Sequence, residues 1–142
     1  IEIDTDLTHP LPCAALDRNK LKQVFINLFI NAAEAMPTGG KLIIKTYIQN
    51  LSNLKSDLPA KISTYSKPRG PVAIIEIKDT GMGIEAKNLD KIFNPFFTTR
   101  LREEGTGLGL SIVKRIIDMH DGRIEIKNRP KGGAKVIVML KV

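Results

Sequence analysis

The stretch LKQVFINLFINAAEAM, residues 21–36, decides how this sequence folds. Its apolar residues recur at helical spacing, and Asp17 is of the type that caps helix N-termini, so the sequence predicts a helix over residues 18–36. At about 100° per residue, polar side chains fall within one arc of roughly 80°: Lys20, Gln23, Asn27, Asn31 and Glu34. We therefore expect a closely packed helix that carries one narrow polar ridge.

The polar ridge is either a solvated face or one wall of a binding site. A solvated face is the usual explanation for polar residues along a helix. However, Asn27 and Asn31 lie one turn apart in an otherwise apolar helix, where an Asn side chain competes for backbone hydrogen bonds. The side-chain oxygen of Asn is also a suitable ligand for Mg²⁺, which commonly takes few protein ligands besides phosphate oxygens. The ridge alone does not decide between the two interpretations.

The remaining periodicities predict five strands and two further helices. The strands are expected over 1–6, 41–47, 72–78, 123–127 and 134–141, and the helices over 87–93 and 107–120. The first strand is expected at an edge of the sheet and the third, an apolar run, at its centre. This order predicts an α/β two-layer sandwich of the α+β type, in which a mixed, mostly antiparallel sheet of about five strands carries three helices on one face. The polar residues 49–70 are expected to form an exposed hairpin loop.

Composition limits the class of protein. The 142 residues, 42% of them hydrophobic, suffice for one domain with one core. Cys13 is the only cysteine, which excludes an internal disulfide and a cysteine metal cluster and suits a cytoplasmic location. No apolar run is long enough for a membrane helix, and acids stand where a signal peptide has bases, so no membrane contact is expected. The chain lacks an initiator Met, so we expect a fragment of a soluble or membrane-anchored parent.

The formal charge of +7 predicts attraction to anions such as nucleotides, nucleic acids or acidic proteins. The basic residues are scattered, however, and the chain offers few aromatic side chains on which bases could stack. Charge alone therefore favours a nucleotide or a protein partner over a nucleic acid.

The segment DTGMGI, residues 79–84, follows the predicted central strand. Its alternating glycines permit positive φ and a close approach of a ligand to the backbone. Asp79 at the end of the strand can accept a hydrogen bond from an exocyclic amine such as that of adenine. A tight turn capped by Asp, without any ligand, is the competing interpretation.

A second glycine-rich segment, GTGLGL at residues 105–110, opens the last predicted helix. Backbone N–H groups at a helix N-terminus form a cradle for phosphate, and Thr106 adds a hydroxyl. The pattern is neither that of a dinucleotide fold nor that of a P-loop, and it is weak by itself. A second glycine turn and an Asn-rich helix in the same short domain make a nucleotide site the better explanation.

Between the two turns lies FNPFFTTR, residues 93–100, with three of the five Phe residues. The segment is either a hydrophobic plug or the base of a lid over residues 94–106. In the second interpretation Arg100 or Arg102 moves toward the phosphates, a contact that suits the guanidinium group.

Together these motifs resemble the catalytic and ATP-binding domain of sensor histidine kinases, over nearly the whole chain. QVFINLFINA at 23–32 resembles the asparagine box of that family, 79–84 its first glycine box, 93–97 its phenylalanine box and 105–113 its second glycine box. The variants AEAM at 33–36 and FTTR at 97–100 resemble the nitrogen-regulation branch. The resemblance implies the ATP-binding sandwich shared with gyrase, heat-shock-90 chaperones and mismatch-repair ATPases.

The resemblance also implies roles for single residues toward ATP and Mg²⁺. Asn31 would ligate the metal, and Asp79 would bind the adenine amine beside Gly81, Gly83 and Ile84. Thr106, Gly107, Leu108 and Gly109 would hold phosphates. The other residues expected to line the nucleotide are Asn27, Glu34, Lys91, Thr98, Thr99, Arg100, Gly105 and Leu110. Many relatives carry Lys where this chain has Glu34, and the sequence does not choose among Lys20, Lys91, Arg100 and Arg102 as its substitute.

Residue 27 bears on the reaction. Hydrolytic relatives of this fold place a Glu one helical turn before the magnesium Asn, and this chain has Asn27 there, which cannot act as a general base. Transfer of phosphate to a histidine is therefore favoured over hydrolysis. His9 and His120 are interpreted as structural, so the acceptor is expected outside the chain, and the chain contributes no catalytic side chain beyond Asn31 with support from Asn27.

The resemblance thus implies the catalytic part of a protein-histidine kinase, which needs a separate dimerisation and phosphotransfer hairpin and a cognate response regulator as partners. Three alternatives stay open: an ATPase or anti-sigma-type serine kinase of the same fold, a regulatory module that binds nucleotide without catalysis, and a basic nucleic-acid binder.

Overall fold

The computed structural model describes residues 1–12, 14–50, 70–98 and 107–142. Five strands form one sheet in the order β1-β2-β3-β5-β4, and only β1 runs parallel to its neighbour. The elements along the chain are β1 (Glu2–Leu7), α1 (Arg18–Glu34), β2 (Lys41–Asn50), β3 (Pro71–Lys78), α2 (Gly109–Met119), β4 (Arg123–Asn128) and β5 (Ala134–Lys141). The predicted two-layer sandwich with a mixed sheet is confirmed, as are the edge position of β1 and the central position of β3.

Both helices pack on one face of the sheet. Alternate residues of β3, namely Ala73, Ile75 and Ile77, belong to the same buried cluster as residues of α1 and α2. The helical members of this core are Val24, Leu28, Ala32, Val113, Ile116 and Ile117. Within the described residues, no helix is both long and apolar enough to cross a membrane.

Helix α1 begins where Asp17 caps it. One oxygen of the Asp17 carboxylate accepts from the backbone N–H groups of Asn19 and Lys20, at 2.9 and 3.0 Å. The bond from Lys20 is the main reason why the pKa of Asp17 is lowered. The helix ends at Glu34, two residues earlier than predicted, because Pro37 disfavours helical backbone at the residue before it.

The predictions for residues 87–93 and for the end of the second strand were also wrong. Residues 87–93 do not form a helix: a single 3₁₀ turn over Ala86–Asn88 is followed by further turns, with i to i+3 bonds such as Lys91 N–H to Asn88 O, 2.8 Å. Short 3₁₀ segments are frequent as connectors between longer elements. Strand β2 runs to Asn50 because Asn50 still pairs with Pro71. Residues 51–69 of the expected hairpin loop lie outside the described residues.

His120 joins the end of α2 to the start of α1. Its Nδ1 lies 2.8 Å from the carbonyl oxygen of Ile116, which can only accept, so Nδ1 carries the proton. The other nitrogen, Nε2, accepts from the backbone N–H of Asp17 at 3.0 Å. A neutral imidazole satisfies both contacts, and His120 therefore has a structural role.

The face of the sheet opposite the helices carries a buried carboxylate. Glu76 of β3, 8% exposed, accepts from Lys135 at 2.7 Å and pairs with Lys78 at 2.7 Å, and the Tyr47 hydroxyl lies 3.2 Å from it. Burial alone would raise the pKa of Glu76, but the hydrogen bonds from Lys135 and Lys78 outweigh it and lower that pKa to about 2. Burial, together with Glu76, raises the pKa of the Tyr47 hydroxyl.

The ion pairs of Glu76 with Lys78 and Lys135 predict that part of the free energy of unfolding is lost in acid. Because the folded pKa of Glu76 lies below the value of about 4.3 for an unfolded Glu, the contribution is present above about pH 4.3 and is lost as pH falls toward about 2. We expect it to be on the order of 2 kcal/mol after allowing for solvent screening. Urea denaturation of wild type and Glu76→Gln from pH 7 to pH 2.5 measures this contribution. The difference in free energy of unfolding between wild type and variant should shrink as the pH falls below about 4.3.

Glu125→Gln is the matched control. Glu125 lies in β4, on the same face of the sheet, and takes no part in the ion pairs of Glu76 with Lys78 and Lys135. If the free energy of unfolding of wild type and Glu76→Gln changed with pH in the same way, the lowered pKa of Glu76 would be contradicted.

Candidate nucleotide-binding site

Asp79 lies directly after β3 and is 5% exposed. Its Oδ1 accepts from the backbone N–H groups of Gly81 at 2.9 Å and Ala134 at 3.1 Å. The backbone N–H of Asp79 donates to the carbonyl of Ala134, and the Arg129 guanidinium donates to the carbonyl of Asp79. Among the described residues, these hydrogen bonds to the carboxylate all go to Oδ1. The side chain is therefore fixed in orientation, with Oδ2 as the oxygen that can receive a ligand donor.

The glycine turn after Asp79 is held by the end of α1. The N–H of Met82 donates to the carbonyl of Ala35 at 3.1 Å, and a Cβ at Gly81 would collide with the same carbonyl. Gly83 has φ of 72°, which favours glycine. The turn and the helix are thus in direct backbone contact, and no side chain separates them.

On its other side the turn is held by the hairpin between β4 and β5. Asn128 pairs with both backbone groups of Ile84, and a Cβ at Gly133 would collide with the carbonyl of Asp79. The sequence did not predict that these hairpin residues belong to the site: Asn128, Arg129, Gly133 and Ala134. A run with two glycines after Asn128 predicts only a hairpin turn, and nothing local shows what the hairpin touches.

Asn27, in the polar ridge of α1, lies near the start of α2. The Asn27 side-chain oxygen lies 3.6 Å from the position that a Cβ at Gly109 would take, and Gly109 is the first residue of α2. Because Asn27 lies beside Gly109 and Ala35 lies beside Gly81, Asn31 stands between the two glycine segments along the helix. The rise of about 1.5 Å per residue places it roughly 6 Å from each of these two positions along the axis.

The other residues predicted for the site differ in exposure and in distance from the glycine segments. Asn27 and Asn31 are half-buried, whereas Glu34, Lys20 and Lys91 are exposed. Lys20 stands in the first turn of α1, about 10 Å of helix axis before Asn27, at the end remote from the first glycine turn. The geometry therefore does not favour Lys20 as the cation in place of the missing lysine.

Phe96, which lies inside the predicted lid, is close to Gly107, the residue that directly follows the lid in sequence. A Cβ at Gly107, whose φ is 66°, would collide with the backbone of Phe96, which itself has φ of 66° and is 76% exposed. Phe93 packs against the core and Thr98 is half-buried. The residues Thr99, Arg100, Arg102, Gly105 and Thr106 lie outside the described part of the chain.

The donor set suits ATP with magnesium. Among the described residues there is no group of three or more His, Cys, Asp or Glu side chains that could hold a metal by itself. Magnesium commonly takes one or two protein oxygens and completes its shell with phosphate oxygens and water, so the single amide oxygen of Asn31 fits it. The first turn of α2, at Gly109 and Leu110, supplies the unsatisfied N–H groups that attract phosphate.

An apolar groove of about 700 Å³ lies elsewhere, between residues 93–95 and the outer side of α2. Phe93, Leu108, Ile112 and Met119 are among its lining residues, with Lys114 and Asp118 at its side. Neither Asp79 nor the polar ridge of α1 lines it, but Leu108 does, so the groove adjoins the start of α2 and not the glycine turn after Asp79.

Comparison with known proteins identifies the family of the chain. The family model described as "Histidine kinase-, DNA gyrase B-, and HSP90-like ATPase" matches residues 16–142. The chain is 40% identical over 124 residues to the sensor kinase CckA of Brucella abortus (strain 2308), covering 87% of this chain and 13% of that protein. It is 34% identical over 142 residues to the signal transduction histidine-protein kinase AtoS of Escherichia coli (strain K12), covering 100% of this chain and 20% of that protein.

Among solved structures, the catalytic domain of histidine kinase ThkA is similar, with a TM-score of 0.72 and 31% identity, covering 98% of this chain and 78% of that chain. The chain spans a fifth or less of the length of the two curated relatives, so the similarity concerns one domain of those proteins. The family match extends over nearly all of the sequence, including every element that builds the site. The chain therefore belongs to the family of histidine kinase-, DNA gyrase B- and HSP90-like ATPases and is homologous to the catalytic domains of sensor kinases.

Proposed function

We propose that the chain binds Mg-ATP and donates the γ-phosphate to a histidine in a separate dimerisation hairpin of its parent sensor kinase, as part of a two-component pathway. The observation that carries the proposal is the arrangement along α1: the turn that follows Asp79 contacts Ala35, the start of α2 contacts Asn27, and Asn31 lies between them. A nucleotide laid along this helix would meet a base acceptor, a metal ligand and a helix N-terminus in that order.

At the base end, Oδ2 of Asp79 would accept a hydrogen bond from the exocyclic amine of adenine. The bonds from Gly81 and Ala134 to Oδ1 hold the carboxylate in one orientation, which leaves Oδ2 for the ligand. The backbone of Gly81, Gly83 and Ile84 would line the base, because two of these residues carry no side chain that would keep a planar ring away.

At the phosphate end, Asn31 would bind the magnesium ion. Magnesium held there would neutralise negative charge on the phosphates. The backbone of Gly107, Leu108 and Gly109 would hold the phosphates at the N-terminus of α2, where the helix dipole favours anions. The remaining expected contacts, which belong to the lid and its surroundings, are proposed for Glu34, Lys91, Thr98, Thr99, Arg100, Gly105, Thr106 and Leu110.

Transfer is favoured over hydrolysis by the residue beside the start of α2. The amide of Asn27 has no lone pair basic enough to take a proton from water, so the position that lies against Gly109 offers no general base. An imidazole is a better nucleophile than water and needs less assistance. His120 is not a suitable acceptor because both of its ring nitrogens are engaged in hydrogen bonds.

The acceptor histidine is therefore proposed to lie in the parent protein's own hairpin, and the cognate response regulator to take the phosphate from it. The sensor kinases to which the chain is similar support this assignment. An ATPase or an anti-sigma-type serine kinase is the weaker alternative, because this chain has Asn27 where such enzymes have a general base. We propose a cytoplasmic location and the nitrogen-regulation branch for the parent on the same resemblance.

The metal assignment predicts a specific loss in the variant Asn31→Asp. The new carboxylate changes both the charge and the geometry beside the triphosphate, and we expect Mg-ATP affinity to fall at least about tenfold, which corresponds to about 1.4 kcal/mol. Calorimetry with magnesium and with a chelator measures the effect: the gain in affinity that magnesium gives to the wild type should be largely absent from the variant.

Asn19→Asp makes the same change in charge in the first turn of α1, on an exposed residue far from the site, and should leave binding nearly unchanged. Wild-type affinity of Asn31→Asp in the presence of magnesium would remove Asn31 from the metal site.

The transfer proposal is tested with ATP labelled at the γ-position. The chain alone should bind ATP, hydrolyse it slowly and remain unlabelled, because it contains no available acceptor. A longer segment of the parent that includes the hairpin should acquire acid-labile label, which marks a phosphorylated histidine. Stable acid-labile label on the chain alone, or rapid hydrolysis without any phosphorylated protein, would overturn the proposal.

A further inference from the structure

We propose that Asn128 is a positioning residue for the selection of adenine, because its side-chain amide fixes the far end of the first glycine turn relative to Asp79. This inference rests on the proposed function, in which Asp79 binds the adenine amine. It concerns a residue at the end of β4, 44 positions away from the turn that it holds.

The contact is a pair of hydrogen bonds to a single residue. The side-chain oxygen of Asn128 accepts from the backbone N–H of Ile84 at 2.8 Å, and its Nδ2 donates to the carbonyl of Ile84 at 2.6 Å. A primary amide offers one acceptor and one donor in the same plane, which this pairing requires. Asp at this position would lack the donor, and Ser could not reach both backbone groups at once.

The same side chain restricts the residue before Ile84. A Cβ at Gly83 would lie 2.9 Å from the Asn128 side-chain oxygen, and the φ of 72° at Gly83 already disfavours any other residue. Gly83 and Asn128 are therefore fitted to one another, and the amide can approach Ile84 only because Gly83 has no side chain.

The other end of the turn is held by the same hairpin. Ala134 pairs with Asn128 across the two strands, and its backbone N–H donates to Oδ1 of Asp79. Arg129, the residue after Asn128, donates to the carbonyl of Asp79. The end of the β4–β5 hairpin thus forms a bridge that fixes the distance between the carboxylate of Asp79 and the backbone of Ile84.

This bridge matters because the middle of the turn cannot hold itself in place by packing. Gly81 and Gly83 have no side chains, and Met82 between them is 78% exposed. Two positions of the turn are therefore set by contacts from outside: Met82 by Ala35 of α1, and Ile84 by Asn128. Without the second contact, the backbone that lines the base can shift while Asp79 stays in place.

Loss of the Asn128 amide should weaken binding of the base and leave binding of the phosphates nearly unchanged. The phosphate end is built by α1 and α2, and the hydrogen bonds of the Asn128 side chain among the described residues go to Ile84. Loss of the amide should therefore weaken the discrimination between adenine and a base that lacks the amine, more than it weakens binding of the triphosphate itself.

The experiment compares ATP with inosine triphosphate, which has a carbonyl in place of the adenine amine. Dissociation constants are measured by calorimetry for wild type, Asn128→Asp and Asn128→Ala, with magnesium present. We expect both variants to bind ATP about three- to tenfold more weakly and inosine triphosphate with nearly wild-type affinity, so that the preference for ATP narrows.

Lys127→Ala is the control, because Lys127 is the exposed neighbour of Asn128 on the same strand. Urea denaturation checks that each variant is folded. Two variants of Asn128 are used so that, if one folds poorly, the other still tests the positioning role. An equal fall in affinity for both nucleotides, or an unchanged preference for ATP, overturns the positioning role.

Asp79→Asn separates this inference from the proposed function. If Asp79→Asn narrows the preference for ATP and the Asn128 variants do not, the inference fails while the adenine assignment stands. If the wild type shows no preference for ATP, or Asp79→Asn leaves it unchanged, the adenine assignment fails and the role of Asn128 fails with it.

Discussion

The carboxylate of Asp79 joins the central strand to the hairpin that follows α2. A buried carboxylate is costly unless hydrogen bonds compensate it, and two backbone N–H groups, from Gly81 and Ala134, do so through a single oxygen. These bonds start the glycine turn and align the start of β5 with the end of β3. The close approach of Gly133 and the contact from Arg129 follow from that alignment.

Helix α1 is the second constraint, because it touches both halves of the site. Its carbonyl at Ala35 receives the N–H of Met82, and its Asn27 lies against Gly109 at the start of α2. A helix is stiff over this length, so the two halves are held at a set separation. His120 adds to this arrangement, since it attaches the C-terminal end of α2 to the first turn of α1.

The sequence predicted most of the fold because strands and amphipathic helices have distinct periods, and the runs at 18–36 and 72–78 show theirs clearly. Residues 87–93 misled the prediction because a short segment lacks enough turns to show a period. The glycine turn at residues 79–84 was predicted because its signal is local. Asn128 and Ala134 were not, because their contacts lie 44 and 55 residues away in the chain and depend on the order of the strands.

The backbone contact between Phe96 and Gly107 has a consequence for how the domain can vary. The two residues lie close together although ten residues separate them in the sequence. The entropic cost of closing a loop rises only by about 0.6 kcal/mol for each doubling of its length. Insertions and deletions between these two residues should therefore accumulate in natural sequences with little effect on the rest of the domain, provided that residue 107 remains glycine.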